Sequence, residues 1–332
     1  MAVLVEASDL RKRFGEIVAV DGISLEVQAG EVLGFLGPNG AGKSTTMKMI
    51  TGFLEPDAGS ARIAGLDVFE HPRAAKSKLG YLPEGAPCYG EMTARAFLGF
   101  IAEIRGFDRD EAKRRVAAAV EKTELAGVLE QRIETLSKGF KRRVAIAQAI
   151  LHDPQVLVMD EPTDGLDPNQ KHQVRKLITE MATDKAIIVS THILEEVEAV
   201  CSRAVIINRG QIVADGTAED LMRRLPYHNA ISVRVPSSRA EAVSKALSEF
   251  AAIARVETIG TANGRVQLRA HARKDAPAPG ELATFIRNRL IEVEEVAVER
   301  GNLDEVFRQI TTSDTGSETG PATGSGTGGR HE

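Results

Sequence analysis

Val32-Leu33-Gly34-Phe35-Leu36-Gly37-Pro38-Asn39-Gly40-Ala41-Gly42-Lys43-Ser44-Thr45-Thr46-Met47-Lys48-Met49-Ile50 is the stretch from which the rest of the chain can be read. Inside it, Gly37 and Gly42 flank four residues and Lys43-Ser44 follows, the spacing of a phosphate-binding loop. Val32 to Leu36 reads as a short buried strand, and Thr46 to Ile50 as the first turns of a helix. The strand delivers the chain to a tight turn, where glycines let backbone N–H groups converge on a polyphosphate. The positive end of the helix dipole adds to the attraction. In that geometry Lys43 lies along the β- and γ-phosphates and the Ser44 hydroxyl ligates Mg²⁺. An ordinary glycine-rich turn needs neither the strand nor the helix, so Gly37 to Thr45 is read as a nucleotide site.

Upstream, Val3 to Ala7 and Ile17 to Val27 alternate as strands do, around a break at Phe14-Gly15. Phe14 either stacks on an adenine ring or fills the core. Downstream, Ala61 to Phe69 reads as a hairpin and Leu79 to Leu82 as a strand running into Pro83-Glu84. From Thr93 to Lys122 the apolar spacing turns helical and interrupts the α/β core, as a subdomain would.

Leu136-Ser137-Lys138-Gly139-Phe140 opens a strongly patterned helix that Asp153-Pro154 ends. Val156 to Met159 is then wholly apolar, the mark of a central parallel strand. It delivers Asp160 and Glu161 to its carboxyl end, where ligands of open α/β sheets bind. Two adjacent carboxylates are costly there unless a cation or a proton-transfer role uses them. The next strand, Ala186 to Ser190, ends at Thr191-His192; a lone His is more often structural, but at the tip of the strand after an Asp-Glu strand a catalytic role is favoured. Ser137 is a helix N-cap by position, and with the Gly139 N–H it also forms a second anion site with no anion of its own.

A linker near Leu225-Pro226 closes the first domain, 1–222. Beyond it, 226–313 reads strand, helix, strand, strand, helix, strand, a split βαβ succession, and then a final helix from Asn302 to Ile310. No aromatic residue lies on these strands, which argues against the RNA-recognition version of that fold. This domain either stabilises a dimer and tunes activity or is a packing appendage. From 314 to 332 the chain is Gly, Thr and Ser with scattered acids and reads as a disordered tail.

With 332 residues the chain can build one large and one smaller core, and a formal net charge of −5 gives no push toward nucleic acid. Cys88 and Cys201 are its only cysteines, which suits a reducing compartment and argues against both a disulfide framework and a cysteine-based zinc site. Neither a secretion signal nor a bilayer-length apolar run is present, so work at a membrane requires another chain.

These residues together resemble the ATP-binding subunit of an ABC transporter over roughly the first 220 positions, through five motifs in that family's order. The resemblance implies a P-loop α/β cassette with a helical subdomain at about 84–152, and ATP and Mg²⁺ as ligands. It implies Mg²⁺ contacts from Ser44, Glu84 and Asp160, Glu161 as catalytic carboxylate, His192 as switch histidine and Phe14 as the adenine-stacking aromatic. Ser137, Lys138 and Gly139 fall in the signature that acts in trans, and Asp167 in the loop that crosses a dimer interface. The chain departs from the usual signature at Lys138 and Phe140, and carries Glu84 where a Gln is usual. Both variants, and the appended C-terminal domain, resemble exporter-type members whose permease is a separate chain. The expectation is a homodimer, cytoplasmic and held to the membrane's inner face by that permease, without nucleic acid. A ribosome- or DNA-associated ABC ATPase is the alternative. Against it stand the single cassette and the absence of sustained heptads. A small-molecule kinase using the same loop is a remote third reading, since Ser137–Gly139 and Asp160-Glu161 have no place in it.

Overall fold

The computed structural model describes residues 2–85, 88–273, 276–289 and 293–312. Its contacts divide the chain into two compact units, Met1–Leu221 and Met222–Glu332.

The first unit begins with a hairpin, β1 (Val3–Phe14) and β2 (Ile17–Gln28), whose alternation turns Val5, Ala7, Leu10, Ile23 and Leu25 inward. β3 (Val32–Leu36) leads through the phosphate loop to α1 (Lys43–Ile50). β4 (Ala58–Ile63) and β5 (Leu66–Asp67) complete a four-stranded antiparallel sheet in the order β2-β1-β4-β5. After α2 (Pro72–Ser77) and β6 (Leu79–Leu82), the helical stretch resolves into α3 (Ala94–Ile104) and α4 (Arg109–Lys122). Gly106, at φ +80°, turns the chain between them, and the Asp108 side chain caps α4. Next come α5 (Lys138–Ile150), β7 (Val156–Asp160), α6 (Pro168–Met181) and β8 (Ala186–Thr191). α7 (Leu194–Val200), β9 (Arg203–Asn208), β10 (Gln211–Gly216) and α8 (Ala218–Met222) end the unit.

A six-stranded sheet runs β10-β9-β3-β8-β7-β6, parallel except for the β9–β10 hairpin. β3, β7 and β8 are buried along their whole length, as expected for a sheet covered on both faces. One core fills the space toward the helical block, with Leu98, Ile146 and Leu157, and another toward the antiparallel sheet, with Leu33, Phe35 and Val158. The carboxyl ends of β3, β7 and β8 therefore come together at one edge of a rigid slab, which is where the candidate site lies.

The second unit is β11 (Ala230–Pro236), α9 (Ala240–Ser248), β12 (Ile253–Ala262), β13 (Arg265–Ala272), α10 (Pro279–Arg289), β14 (Glu295–Glu299) and α11 (Leu303–Thr312). Its sheet order, β12-β13-β11-β14 with every neighbour antiparallel, is the split βαβ arrangement. Ile231, Val233 and Val235 alternate inward against Val243 and Leu247 of α9 and Leu282 and Ile286 of α10. Leu225, placed in a linker by its Pro neighbour, is buried. The tail at 314–332 lies outside the described residues. No described helix is long and apolar enough to cross a membrane.

One buried group makes the first unit acid-sensitive. His152, just after α5, is 9% exposed and its Nε2 donates to the Leu79 carbonyl at 2.9 Å. Burial, aided by Arg105 and Arg115, lowers its pKa from 6.5 to about 4. Between those values the unfolded chain takes up a proton that the folded chain refuses, so stability falls as pH drops through that window. The loss at pH 4 is about 3 kcal/mol. Denaturant midpoints of wild type and His152→Gln, compared at pH 7 and pH 4.5, should converge at the lower pH. An unchanged gap would remove His152 as the cause.

Candidate functional site

The phosphate loop owes its shape to backbone that only glycine adopts cheaply. Gly42 caps α1 at φ +105°, and a Cβ there would stand 2.4 Å from the Ala19 carbonyl oxygen. Pro38, Asn39, Gly40 and Ala41 form the turn, with Asn39 and Gly40 exposed at its crown, while Ser44 and Thr45 enter α1 half-buried. Lys43 is 7% exposed and donates from Nζ to the carbonyls of Gly37 at 2.6 Å and Pro38 at 3.1 Å. Burial lowers its pKa, and Glu161, Asp160 and Glu84 oppose that shift. The fold thus brings the Lys43 ammonium within electrostatic reach of Glu84 and of the adjacent Asp160 and Glu161, all distant from it in sequence. A phosphate in the loop is a stronger, charged acceptor for Nζ than two neutral carbonyls.

Opposite the loop, β7 ends on Asp160, which is 1% exposed. Its Oδ1 accepts from the Ser190 hydroxyl on β8, whereas the buried Oδ2 has no partner among the described residues. A buried carboxylate oxygen left unsatisfied is costly, and a cation supplies what is missing. No cluster of three or more His, Cys, Asp or Glu suited to a metal occurs among the described residues. Mg²⁺ carried by a nucleotide does not need one, because phosphates and waters complete its shell. Asp160 and Ser44 therefore fit such an ion.

Glu161 stands at φ +49°, in the left-handed region, where a non-glycine residue stays only if its surroundings hold it. Its N–H bonds to Ser190, at 3.1 Å to Oγ and 3.2 Å to O, and its carbonyl accepts from Arg142 Nη2. Both carboxylate oxygens lie 3.0 Å from His192 Nδ1. Burial pushes the Glu161 pKa above the usual carboxylate range, with the His192 hydrogen bond pulling the other way. The result is a half-buried carboxylate held against an exposed imidazole. Glu84 sits exposed in the turn after β6. Phe14 is 49% exposed at the end of β1, with Lys12 Nζ 5.9 Å from its ring centre, so the core reading of Phe14 is wrong: a strand end beside a two-residue turn cannot be enclosed.

Ser137 caps α5, its hydroxyl accepting from the Phe140 N–H at 3.4 Å. Gly139 is buried so tightly that a Cβ would meet Gln170 Oε1 at 2.4 Å. Gln170 forms a capping box with Asp167 at the start of α6, so the segment around Gly139 packs against the turn at Asp167 within one chain. Lys138, at the start of α5, carries its charge into an ion pair within the same chain. Its ammonium pairs with Asp164 at 2.9 Å, a contact that spacing alone could not reveal. Among the described residues no hydrogen bond or ion pair joins 137–139 to the phosphate loop. Arg142 and Ser190, which brace Glu161 and Asp160, were missed. The available signals were a basic residue within an apolar helix and a hydroxyl at a strand end.

Comparison with known proteins fits this geometry. A model of the ABC transporter family matches residues 20–164. The chain is 37% identical to the linearmycin resistance ATP-binding protein LnrL of Bacillus subtilis, over 70% of this chain and 75% of that one. It is 36% identical to the Nod factor export ATP-binding protein I of Paraburkholderia xenovorans, over 66% and 72% respectively. A solved ATP-binding subunit of an ABC transporter superposes with a TM-score of 0.62 at 33% identity, covering 67% of this chain and 92% of that one. CbiO1 of Clostridium perfringens, part of the transporter complex CbiONQ, gives 0.61 at 26% identity, covering 68% and 92%.

Proposed function

This chain belongs to the ABC transporter family as an ATP-binding subunit, and from that premise we propose that its ATP hydrolysis drives export through a separate membrane permease. The observation that carries the reading is the gathering of Lys43, Asp160, Glu161 and His192 at the ends of β3, β7 and β8. Lys43 and the loop N–H groups bind the β- and γ-phosphates. Ser44, Asp160 and Glu84 would hold Mg²⁺, which when bound would neutralise phosphate charge. Glu161 takes the proton of the attacking water, and His192 keeps that carboxylate ionised and aimed. Phe14 offers its exposed ring to the adenine.

A single chain leaves one face of the γ-phosphate open to water. Two copies related by a two-fold axis would close that face with Ser137 and Gly139 of the opposite chain, while the Asp167 loop crosses between them. The names of the two relatives, one for linearmycin resistance and one for Nod factor export, support an export role. Nothing in the comparisons favours the ribosome- or DNA-associated alternative. By this reading the protein is cytoplasmic and bound to the membrane through its permease. Purification of the full-length chain from native membranes should bring down a polytopic membrane protein, whereas co-purifying ribosomes or DNA would replace this proposal with the alternative.

The C-terminal domain read from the sequence, 226–313, is proposed to stabilise the dimer or tune its activity without touching nucleotide, because its α/β pattern has no phosphate-binding loop in the sequence. A chain truncated before Met222 should bind ATP with wild-type affinity by equilibrium titration. A large loss of affinity in a well-folded truncation would contradict this.

A further inference from the structure

A carboxylate outside the motifs ties the two parts of the site that must act together. Glu196, on α7, is 2% exposed. Its Oε1 accepts from Thr163 Oγ1 at 2.5 Å and its Oε2 from Thr191 Oγ1 at 3.1 Å. Thr191 Oγ1 in turn accepts from the Ile193 N–H at 3.0 Å, so its own hydrogen is committed to Glu196. From α6, Lys171 Nζ stands 3.5 Å and Arg175 Nη2 3.9 Å from Oε1. Thr163 is 3% exposed and Thr191 1%.

The two threonines occupy telling places. Thr163 lies just past Glu161 at the start of the loop that runs to Asp167, and Thr191 immediately precedes His192. A carboxylate accepts at both oxygens, so an acid at 196 takes both hydroxyls as donors, whereas an amide could hold both only by reversing one of these bonds. A buried acid with two cations nearby is weak evidence for stability alone, since desolvation offsets most of the attraction. Its geometric effect is specific. It fixes the spacing between the loop after Glu161 and the strand end that carries His192, and with it the 3.0 Å contact between those two side chains.

We propose that Glu196 is a positioning residue for ATP hydrolysis, coupling the 161–167 loop to His192 so that a displacement of one is carried to the other. This rests on the reading of Glu161 as the base and His192 as its partner. Glu196→Gln preserves shape but leaves one acceptor oxygen and turns an amide N–H₂ toward a threonine hydroxyl or the α6 cations. Misplacement by up to about 1 Å at a reacting centre can cost about 10–100-fold in rate. In the full-length protein Glu196→Gln should therefore lower kcat by about that factor while ATP affinity stays within about twofold. Adding Thr163→Val should cost little more than either change alone, because both cut one linkage. Wild-type kcat in Glu196→Gln, or a fall in ATP affinity matching the fall in kcat together with a lowered Tm, would overturn the proposal. Glu161→Gln is the control. If it is inactive while Glu196→Gln is fully active, only the positioning role fails. If Glu161→Gln keeps its turnover, the base assignment fails and takes the positioning role with it.

Discussion

Glu161→Gln will bind ATP with near wild-type affinity and hydrolyse it about 10²–10⁴-fold more slowly, the usual cost of losing a general base. The substitution is unusually clean. The bonds that hold residue 161 in its left-handed conformation run through its backbone N–H to Ser190 and its carbonyl to Arg142, so none depends on the carboxylate. Gln is nearly isosteric and can still meet His192 Nδ1, which leaves loss of basicity as the dominant change. Fluorescent-nucleotide titration alongside steady-state hydrolysis separates binding from turnover. The acid limb of the wild-type rate profile gives an independent check. Burial raises the Glu161 pKa, so a larger fraction of the base is protonated at mildly acidic pH than for an ordinary carboxylate. The rate should therefore begin to fall above the ordinary carboxylate pKa as pH is lowered, and the Gln variant's residual rate should lack that limb. Near wild-type turnover in Glu161→Gln would end its assignment as base.

Lys43→Ala and Ser137→Asp, each inactive alone, should recover about a quarter of wild-type activity when mixed in equal amounts, if the proposed dimer shares its sites. Random pairing makes about half the dimers mixed, and each mixed dimer has one doubly damaged site and one intact site. Ser137→Asp suits this experiment because Asp caps a helix as well as Ser does, and its charge agrees with the α5 dipole. The added carboxylate acts on the partner's γ-phosphate, where like charges about 4 Å apart repel by on the order of 4 kcal/mol at an effective dielectric of about 20. A Gly139 substitution would be harder to interpret, since its Cβ would drive into Gln170 and disturb the Asp167 cap in the same chain. No recovery, despite heterodimers seen by native mass spectrometry, would leave two accounts: sites complete within one chain, or two sites that must fire together. Loss of ATP-driven dimerisation in Ser137→Asp alone would select the second.

Local order made the centre of this protein readable. The loop from Gly37 to Thr45 could be recognised because a strand, two glycines at fixed spacing and a helix start are consequences of adjacent residues. Asp160 and Glu161 were legible for the same reason, as the abrupt polar end of an apolar run. In the second unit, alternation along Ile231, Val233 and Val235 announced a one-sided sheet, and the split βαβ order followed from the succession of elements. The β9–β10 hairpin and helices α6 and α7 went unread, although they supply the edge of the main sheet and the residues behind the 161–167 loop.

What the sequence determined by itself was the nucleotide chemistry and the strand ends that carry it. Tertiary structure alone decided which residues support that chemistry. β3, β7 and β8 are apolar on both faces, so no alternation marks their register, and a shift by one residue would look the same on paper. In the folded sheet Asp160 pairs with Ser190, which puts a hydroxyl on the carboxylate and His192 within reach of Glu161. Arg142 on Glu161, Lys138 on Asp164 and Glu196 between Thr163 and Thr191 depend likewise on helices docking from distant parts of the chain. Spacing along the chain cannot encode those contacts, because they are set by how the helices pack onto the sheet rather than by neighbours in sequence.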